Sequence, residues 1–311
     1  MLDSRDAQSI DAAKLYYLSG LSQAEVATEL GVSRPTVSKL LQHARDMGFV
    51  VISLHDPREG ADEVVDKLKA RFGLVDARVV RPVTGDAAGL LADLGAAGAS
   101  LLEELVRDDM KVGISWGNTM FSVAEHLRTR NLSGVQVIQL KGGHSHSERN
   151  TKDVETLTRF ARAFNADMHM LPLPVILDSV EAKQLVEADR HIAGIMRAGA
   201  SADIAVFTAG DVHRESLLLN LGVLSGAETQ SLLDSAVGDV CSRFYDASGN
   251  TADALIDART VGISVADLRA RPIRVLVAGG LEKATAIKVA LEMGMATHLV
   301  IDHATAERIV G

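Results

Sequence analysis

The chain has 311 residues, of which 47% are hydrophobic and 23% are charged, and its net charge is −9. This length exceeds one typical domain, and the composition is that of a folded protein with a substantial core. The negative net charge excludes a protein that coats nucleic acid over its whole surface, so any contact with DNA must be local.

The cysteine content and the hydropathy pattern limit the cellular compartment. The one cysteine, Cys241, excludes an intramolecular disulfide, which is compatible with a reducing cytoplasm. The first residues lack the basic-then-apolar pattern of a signal peptide, and no apolar run reaches the roughly 18 residues of a membrane-spanning helix. We therefore expect a cytoplasmic protein that makes no membrane contact.

The first fifty residues predict a helix-turn-helix. Ser22 and Glu25 have the spacing of a capping box, which predicts a helix over residues 23–30 that ends at Gly31. Ser33 then caps a further helix. The apolar residues of that helix share one face, and they are Val37, Leu40, Leu41 and Ala44. Two helices joined by a glycine-containing turn are typical of DNA-binding proteins.

The opposite face of the third helix carries side chains that suit DNA. Residues 33–45 include no carboxylate. Because a recognition helix presents its N-terminal residues to the bases, we expect Arg34, Thr36 and Ser38 to read base edges. Lys39 and Arg45 are expected to contact phosphates. The alternative is an ordinary helical hairpin with a solvated basic face.

A change of composition follows the predicted helix-turn-helix. The stretch "DPREGADEVV" is acidic and contains proline and glycine, as expected of a connector. We therefore predict two domains, a DNA-binding domain over residues 1–54 and an effector-binding and oligomerisation domain over residues 55–311.

The second domain alternates strand-like and helical segments. The strand-like runs are "ARVVRPV", "KVGIS", "VQVIQL", "DMHMLPL", "DIAVFTA" and "RVLVAGG". Helical periodicity marks "GLLADLGAAGASLLEELVRD", "DVETLTRFARAF" and "EKATAIKVALEMG" between them. This order predicts an α/β fold with a mainly parallel sheet covered on both faces. Ligands bind at the carboxyl ends of the strands in such sheets, so motifs at those ends carry most weight.

Two of these strand ends have the pattern of anion-binding turns. In "KVGISWGNTMF", free amides at a helix N-terminus suit a phosphate. The residues expected there are Ser115, Gly117, Asn118 and Thr119. In "VLVAGGLEKATAI", Gly280 precedes a helix whose first turn holds Lys283, and a cation there is unfavourable unless an anion is bound. Either turn alone could also be a tight connection without a ligand.

A third strand end presents Lys141 to a glycine loop. The run "VQVIQLKGG" has the pattern of a buried strand, and Gly142 and Gly143 follow the lysine. A lysine placed in this way either holds an anion or acts as a nucleophile. The residues themselves leave both interpretations open.

The motifs taken together resemble a known family over essentially the whole chain. A helix-turn-helix followed by "GISWGNTM", "QLKGG", "GDVCSRFYDASGN" and "VAGGLEKATAI" is similar to the SorC-type sugar-responsive transcriptional regulators. The resemblance implies a phosphosugar-isomerase-like effector domain, a phosphorylated sugar that alters operator affinity, and a homodimer or homotetramer. It implies no cofactor and no enzymatic activity. The ligand residues that it implies are Gly117, Asn118, Thr119, Gly280 and Lys283, with Asp246 near the sugar hydroxyls.

Lys141 departs from many members of this family, where a small or neutral residue precedes the glycines. It is similar instead to the deoxyribonucleoside regulators of the family, in which a lysine forms a Schiff base with deoxyribose 5-phosphate. Such a reaction requires a neutral amine, so the site must lower the pKa of the lysine, as deep burial does. The alternative is that Lys141 pairs with the phosphate or with a carboxylate such as Asp239 or Asp246.

Two further interpretations remain. The segment "HSHSE" could place His144, His146 and Glu148 around a metal ion, but such a loop is more often simply polar, and we expect no metal site. The second functional hypothesis is an aldolase or isomerase acting on a pentose phosphate, because Schiff-base lysines and phosphate-binding turns serve those enzymes too. The basic recognition helix favours the regulator, since an enzyme does not need one.

Overall fold

The computed structural model describes residues 4–50, 63–82, 86–143 and 151–311. Its contacts divide the chain into two compact units, Met1–Asp56 and Pro57–Gly311. The predicted boundary between residues 54 and 55 lies outside the described residues, and so does most of the acidic connector.

Residues 4–50, the described part of the smaller unit, contain three α-helices. They are α1 (Ser4–Ala13), which continues as a π-helical turn (Lys14–Leu18), α2 (Gln23–Leu30) and α3 (Arg34–Asp46). The predicted capping box is present, since the Ser22 hydroxyl accepts from the Glu25 amide and the Glu25 carboxylate accepts from the Ser22 amide. Ser33 caps α3 by accepting from the Thr36 amide. The predicted helix-turn-helix is confirmed.

The core of this unit lies where the three helices meet. It includes Val26 of α2 together with Val37, Leu40 and Ala44 of α3, all buried. These residues are spaced so that they share one face of each helix, which leaves the opposite face of α3 in solvent.

The larger unit contains the strands. They are β1 (Asp76–Val80), β2 (Lys111–Ile114), β3 (Gln136–Gln139), β4 (Asp167–His169), β5 (Ile204–Phe207), β6 (Ala209–Asp211), β7 (Gly238–Val240), β8 (Arg243–Tyr245), β9 (Ile273–Val277) and β10 (His298–Asp302). The helices are α4 (Glu63–Phe72), α5 (Ala87–Leu105), α6 (Asn118–His126), α7 (Asp153–Phe164), α8 (Val180–Glu187), α9 (Arg190–Ala200), α10 (Gly226–Ser235), α11 (Ala254–Arg259), α12 (Val265–Arg269), α13 (Ala284–Glu292) and α14 (His303–Val310). None of the helices within the described ranges combines the length and apolarity needed to cross a membrane.

Seven strands form a parallel sheet in the order β1-β10-β9-β5-β2-β3-β4. Alternate residues of a strand face opposite sides of the sheet. In β5, Ala205 and Phe207 join the core beneath α4, α13 and α14, whereas Ile204 and Val206 join the core beneath α5, α6 and α7. Burial on both faces explains why these strands read as continuous apolar runs, and the predicted α/β class is confirmed.

The strand order reverses direction between β2 and β5. From β2 the chain adds β3 and β4 on one side, and from β5 it adds β9 and β10 on the other. In open parallel sheets such a reversal leaves a crevice at the carboxyl ends of the two strands. The turns after β2, β3, β5 and β9 therefore open at the same edge of the sheet.

Some strands were not predicted from the sequence. A second, antiparallel sheet pairs β6, β7 and β8, each of three residues. Strands of this length carry too few residues for an alternating pattern to be recognised. The apolar run of β10 is similarly short and follows closely on α13.

Close contact between α5 and α6 generates a test of the packing. A Cβ atom added to Gly95 of α5 would lie 2.8 Å from the backbone carbonyl of Ser122 in α6, so Gly95→Ala should force the helices apart. We expect it to lower the free energy of unfolding by about 1–3 kcal/mol. Gly194→Ala in α9 is the matched control, since nothing lies within 4 Å of the added atom. The control should raise stability by up to about 1 kcal/mol through helix propensity. Both free energies of unfolding are measured by urea denaturation. Equal changes in Gly95→Ala and Gly194→Ala would contradict this packing.

Candidate functional site

The turn after β2 presents small and polar groups at the sheet edge. Gly117 is the N-terminal cap of α6, so the first amides of that helix point towards the carboxyl end of β2. Ser115 and Thr119 are buried, whereas Asn118 is exposed. The Ser115 hydroxyl is fully enclosed and has no hydrogen-bond partner within the described part of the chain. A buried hydroxyl without a partner is costly, which is compatible with a ligand group at this position.

The turn after β9 is more constrained than its sequence suggests. The Gly280 amide donates to the Asp302 carboxylate at 2.9 Å and lies 3.1 Å from the Thr305 hydroxyl, which also accepts from it. This amide is therefore already engaged within the protein. Lys283 follows in a single 3-10 turn that leads into α13, and its side chain is half-buried. Its ammonium group is the donor that this turn can offer to an anion.

Lys141 lies just after β3 and is buried, with 4% of the residue exposed. Its Nζ lies 3.8 Å from the centroid of the Trp116 ring, a cation–π contact. The indole Nε1–H of Trp116 donates to the Gly142 carbonyl at 2.8 Å, which fixes the ring. Desolvated contacts of this kind contribute up to about 2 kcal/mol. The contact therefore fixes the position of the amine without placing a negatively charged group against it.

The backbone on either side of Lys141 is also fixed. Lys141 forms an antiparallel β-bridge with Gly262, and the Ile263 amide donates to the Leu140 carbonyl at 2.7 Å. A Cβ atom on Gly142 would lie 2.7 Å from the Leu173 carbonyl oxygen, so only glycine fits there. The glycine that follows Lys141 is thus explained by close backbone approach.

Burial dominates the electrostatics of Lys141. It lowers the pKa of the amine below its ordinary value, and the charges of Asp239 and Asp153 oppose this effect. Burial likewise raises the pKa of Asp239, against the charge of Lys141. Among the described carboxylates none lies within 4.0 Å of Nζ, so Lys141 and Asp239 interact without forming a direct ion pair. Both groups are shifted towards their uncharged forms.

Asp239 lies in a tight hairpin formed by β7 and β8. The two turn residues, Cys241 and Ser242, both have positive φ, 49° and 65°. A two-residue hairpin of this kind normally uses asparagine and glycine. The Asp239 carboxylate accepts from the Ser242 amide at 2.9 Å and so closes the turn. Burial raises the pKa of the Cys241 thiol to about 12, so this thiol is not a nucleophile at neutral pH.

Arg243 connects this hairpin to the segment that pairs with Lys141. Its guanidinium group is buried and donates to the carbonyls of Ile263, Gly262 and Thr260 at 3.0–3.1 Å. It also donates to the carbonyl and the carboxylate of Asp257. These bonds hold the hairpin and the Gly262 bridge together, so Asp239 and Lys141 are positioned by one network.

Asp246, which the family resemblance implies near the sugar hydroxyls, occupies a different environment. Its carboxylate accepts from the amides of Ser248 and Asn250 at 2.8 and 2.9 Å. The hydrogen bond from Asn250 is the main reason why the pKa of this carboxyl is lowered. A role in ligand binding stays a prediction. Asp239, which the sequence offered only as an alternative partner of Lys141, is the carboxylate whose charge acts on Lys141 most strongly.

The possible metal ligands His144, His146 and Glu148 lie outside the described residues. Within the ranges that the structure covers, no group of three or more histidine, cysteine or acidic side chains could hold a metal ion.

The basic face of α3 is exposed. The side chains expected to contact DNA all point to solvent, and they are Arg34, Thr36, Ser38, Lys39 and Arg45. The Thr36 hydroxyl is hydrogen-bonded to the Ser33 hydroxyl at 2.7 Å. The Arg45 guanidinium donates to the Gln42 side chain at 2.6 Å and to the Tyr17 hydroxyl at 3.3 Å. Contact of this face with DNA stays a prediction, but the face is free of core packing.

Two protein families match the chain. The family described as "Putative sugar-binding domain" matches residues 56–311, and the family "Sigma-70, region 4" matches residues 14–47. The first match covers the sheet with its glycine turns, and the second covers α2 and α3.

Several known proteins are similar over almost the whole chain. The deoxyribonucleoside regulator of Bacillus subtilis is 45% identical over 302 residues, which cover 97% of this chain and 96% of that protein. The sorbitol operon regulator of Klebsiella pneumoniae is 31% identical over 311 residues, with 97% and 96% covered. The crystal structure of full-length SorC from Klebsiella pneumoniae has a TM-score of 0.77 at 28% identity and is covered completely, as is this chain.

The cost of burying the Lys141 amine can be tested by measuring the free energy of unfolding. Lys141→Met removes a charge that burial penalises and keeps a similar shape, so we expect the free energy of unfolding at pH 7 to rise by about 1–4 kcal/mol. The pKa of Lys141 is lower in the folded than in the unfolded chain, so the unfolded chain binds more protons and wild-type stability rises with pH. The gain from the substitution should therefore shrink as the pH approaches 10.5, the ordinary value for lysine.

The control for this test is Lys288→Met. The Lys288 side chain is 41% exposed and lies 3.9 Å from Glu292, so its replacement should change stability by less than about 0.5 kcal/mol. Denaturant titrations at several pH values measure both variants. A loss of stability in Lys141→Met at pH 7 would contradict the burial penalty.

Proposed function

Because the chain belongs to the SorC-type family of sugar-binding transcriptional regulators, we propose that it is a repressor released from operator DNA by a phosphorylated sugar. The effector we propose is 2-deoxyribose 5-phosphate. Residues 1–54 bind the operator, and residues 55–311 bind the sugar and form the oligomer. The observation that carries the choice of effector is the buried Lys141 amine, which has no carboxylate within ion-pair distance among the described residues.

The smaller unit supports the DNA-binding role. Its α3 helix exposes three cations, Arg34, Lys39 and Arg45, on a face without a carboxylate until Asp46. Its apolar residues are meanwhile buried against α1 and α2. We propose that α3 enters the major groove and that the protein acts as a homodimer or homotetramer, since such helices gain specificity by reading two half-sites.

The larger unit supports the binding of a phosphorylated sugar. The N-terminus of α6 and the side chain of Lys283 provide donors for a phosphate at the carboxyl edge of the sheet. Ser115 and Thr119 add buried hydroxyls on the same turn. We propose that the phosphate binds between these turns and that Asp246 lies near the sugar hydroxyls.

Lys141 directs the choice of sugar towards one with an aldehyde. Burial lowers the pKa of its amine, so the neutral, nucleophilic form is more populated than in water. The relative that is 45% identical is named a deoxyribonucleoside regulator. Open-chain 2-deoxyribose 5-phosphate supplies both a phosphate and an aldehyde, and we propose that its aldehyde forms an imine with Lys141.

The proposed release of DNA depends on the thermodynamic linkage between effector binding and operator binding. An effector that binds the free protein more tightly than the operator-bound protein must weaken operator binding by the same factor. The proposed imine contributes to release only to the extent that it forms more favourably in the free protein than in the operator-bound protein.

An aldolase or isomerase is the second candidate, because an enzyme can use the same lysine and phosphate turns. The two candidates differ in turnover. An enzyme would convert many molecules of 2-deoxyribose 5-phosphate per chain, whereas a regulator would retain at most one. The named relatives are regulators, which favours the first candidate.

Trapping tests the proposed imine. Incubation with 2-deoxyribose 5-phosphate and borohydride should reduce the imine and add the sugar phosphate to the peptide that contains Lys141, as measured by mass spectrometry. Lys141→Met should give no adduct there, and Lys288→Met should react like the wild type. A wild-type peptide without added mass would refute the covalent effector.

Operator binding tests the role of α3. Arg34→Ala should weaken binding to the chain's own promoter region by about 1–3 kcal/mol and relax base preference, because a base contact is lost. Lys39→Ala should weaken binding to all sequences alike and reduce the salt dependence by about one phosphate contact. Lys288→Ala serves as the charge-matched control. If the wild type at physiological salt bound its promoter region no better than random duplex, the proposed function would be wrong.

A further inference from the structure

Trp116 joins two of the turns at the carboxyl edge of the sheet. Its backbone lies between Ser115 and Gly117, in the turn that leads from β2 into α6. Its ring contacts the other turn, because the Nζ of Lys141 lies over the ring face, 3.8 Å from the centroid. One segment therefore provides both the proposed phosphate donors of α6 and the aromatic surface that the amine contacts.

The indole ring of Trp116 is held in a fixed orientation. Its Nε1–H donates to the Gly142 carbonyl at 2.8 Å, and the Gly142 amide donates to the Val261 carbonyl at 3.1 Å. The ring is buried and belongs to an apolar cluster that includes Phe244. A large ring that has both a hydrogen bond and close apolar packing has few alternative rotamers. The position of the ring face relative to Lys141 is thus set by the backbone of the lysine's own turn.

The face of an aromatic ring distinguishes the N–H bonds of an amine from its lone pair. The π electrons make this face negative, so it attracts N–H bonds and repels a lone pair. The Lys141 amine therefore directs N–H bonds towards Trp116. Once the amine has lost one proton, its lone pair is favoured on the side away from the ring. Imine formation uses this lone pair.

We propose that Trp116 is the positioning residue for imine formation at Lys141, because its ring face orients the neutral amine and leaves the lone pair available to the effector's aldehyde. The lone pair attacks the aldehyde carbon, the electron pair of the C=O bond moves to oxygen, and one amine proton follows to give a carbinolamine. The carbinolamine then loses its hydroxyl and the remaining N–H proton as water while the C=N bond forms. One amine and one aldehyde give one imine and one water, so atoms and charge balance. Trp116 itself exchanges no proton and no electron.

Positioning and a purely electrostatic role of Trp116 have opposite consequences. The ring face also stabilises the ammonium form of Lys141, which opposes the effect of burial. If protonation alone mattered, removal of the ring would increase the fraction of neutral amine and speed the reaction. If the ring orients the lone pair, its removal slows the reaction, because a misplacement of about 1 Å can lower a rate about 100-fold.

The proposal rests on the proposed function, since it concerns the imine at Lys141, and trapping rates test it. With the full-length chain and saturating 2-deoxyribose 5-phosphate, Trp116→Leu should form the borohydride-trapped adduct about 100-fold more slowly than the wild type. Trp116→Phe retains a ring face and should stay within about 10-fold of the wild type. Phe164→Leu removes a buried ring near the end of α7, so it is the matched control and should react like the wild type. A rate in Trp116→Leu that equals or exceeds that of the wild type would overturn the positioning role.

A ligand without an aldehyde separates positioning from binding. The sugar alcohol 2-deoxyribitol 5-phosphate keeps the phosphate, so its affinity, measured by calorimetry, should be the same in the wild type and in Trp116→Leu. A loss of this affinity as large as the loss of trapping rate would show that Trp116 only maintains the fold of the site, and the proposal would be wrong. A wild type that forms no adduct at all would refute the covalent effector, and the role of Trp116 with it.

Fluorescence tests the contact between ring and amine without any effector. Trp116 is the one tryptophan of the chain, so tryptophan emission reports on this ring alone. Burial lowers the pKa of Lys141, so emission of the wild type should change in a step below pH 10.5, where the positive charge leaves the ring face. Lys141→Met should lack this step, although it retains the other titratable groups that act on the amine, Asp239, Cys241 and Asp153. Identical titrations of the two proteins would overturn the proposal even if the wild type forms the adduct.

Discussion

The larger unit is organised around a lysine amine that is buried without a direct ion pair among the described residues. Removing a charge from water is costly, and a carboxylate in contact would offset much of that cost. Here the Lys141 amine lies instead against the face of Trp116, 3.8 Å from the ring centroid, while Asp239 acts on it from beyond 4.0 Å. Burial therefore lowers the pKa of this amine, and a potential nucleophile lies where a stabilising ion pair would otherwise be expected.

Several contacts between distant segments fix the surroundings of the buried Lys141. Gly142 allows the chain to approach the Leu173 carbonyl, and its own carbonyl fixes the Trp116 ring. The Gly262 bridge fixes the backbone of Lys141, and Arg243 ties that bridge to the hairpin of Asp239. Because parallel strands end at the same edge, the turns after β2 and β9 open at the same edge of the sheet as Lys141.

Much of the local structure was predictable because it is decided by neighbours in the sequence. The capping box of Ser22 and Glu25 and the cap at Ser33 place the ends of α2 and α3 through hydrogen bonds that span three residues. The central strands were recognisable because burial on both faces requires continuous apolar runs. The hairpin of β7 and β8 was not, since its turn contains Cys241 and Ser242 where a turn pattern would require asparagine and glycine.

The sequence by itself determined that a basic recognition helix precedes a parallel α/β unit, and that Lys141 enters a glycine turn at a strand end. Only the tertiary structure decided which carboxyl charge acts most strongly on that lysine and which glycine amide is already engaged. Asp239, not Asp246, is the carboxylate that acts most strongly on it, and the Gly280 amide is already bound by Asp302. The physical reason is the range of the interactions. Caps and periodicity act within a few residues, whereas these contacts join distant segments and depend on the order of strands and on the hydrogen bonds of Arg243.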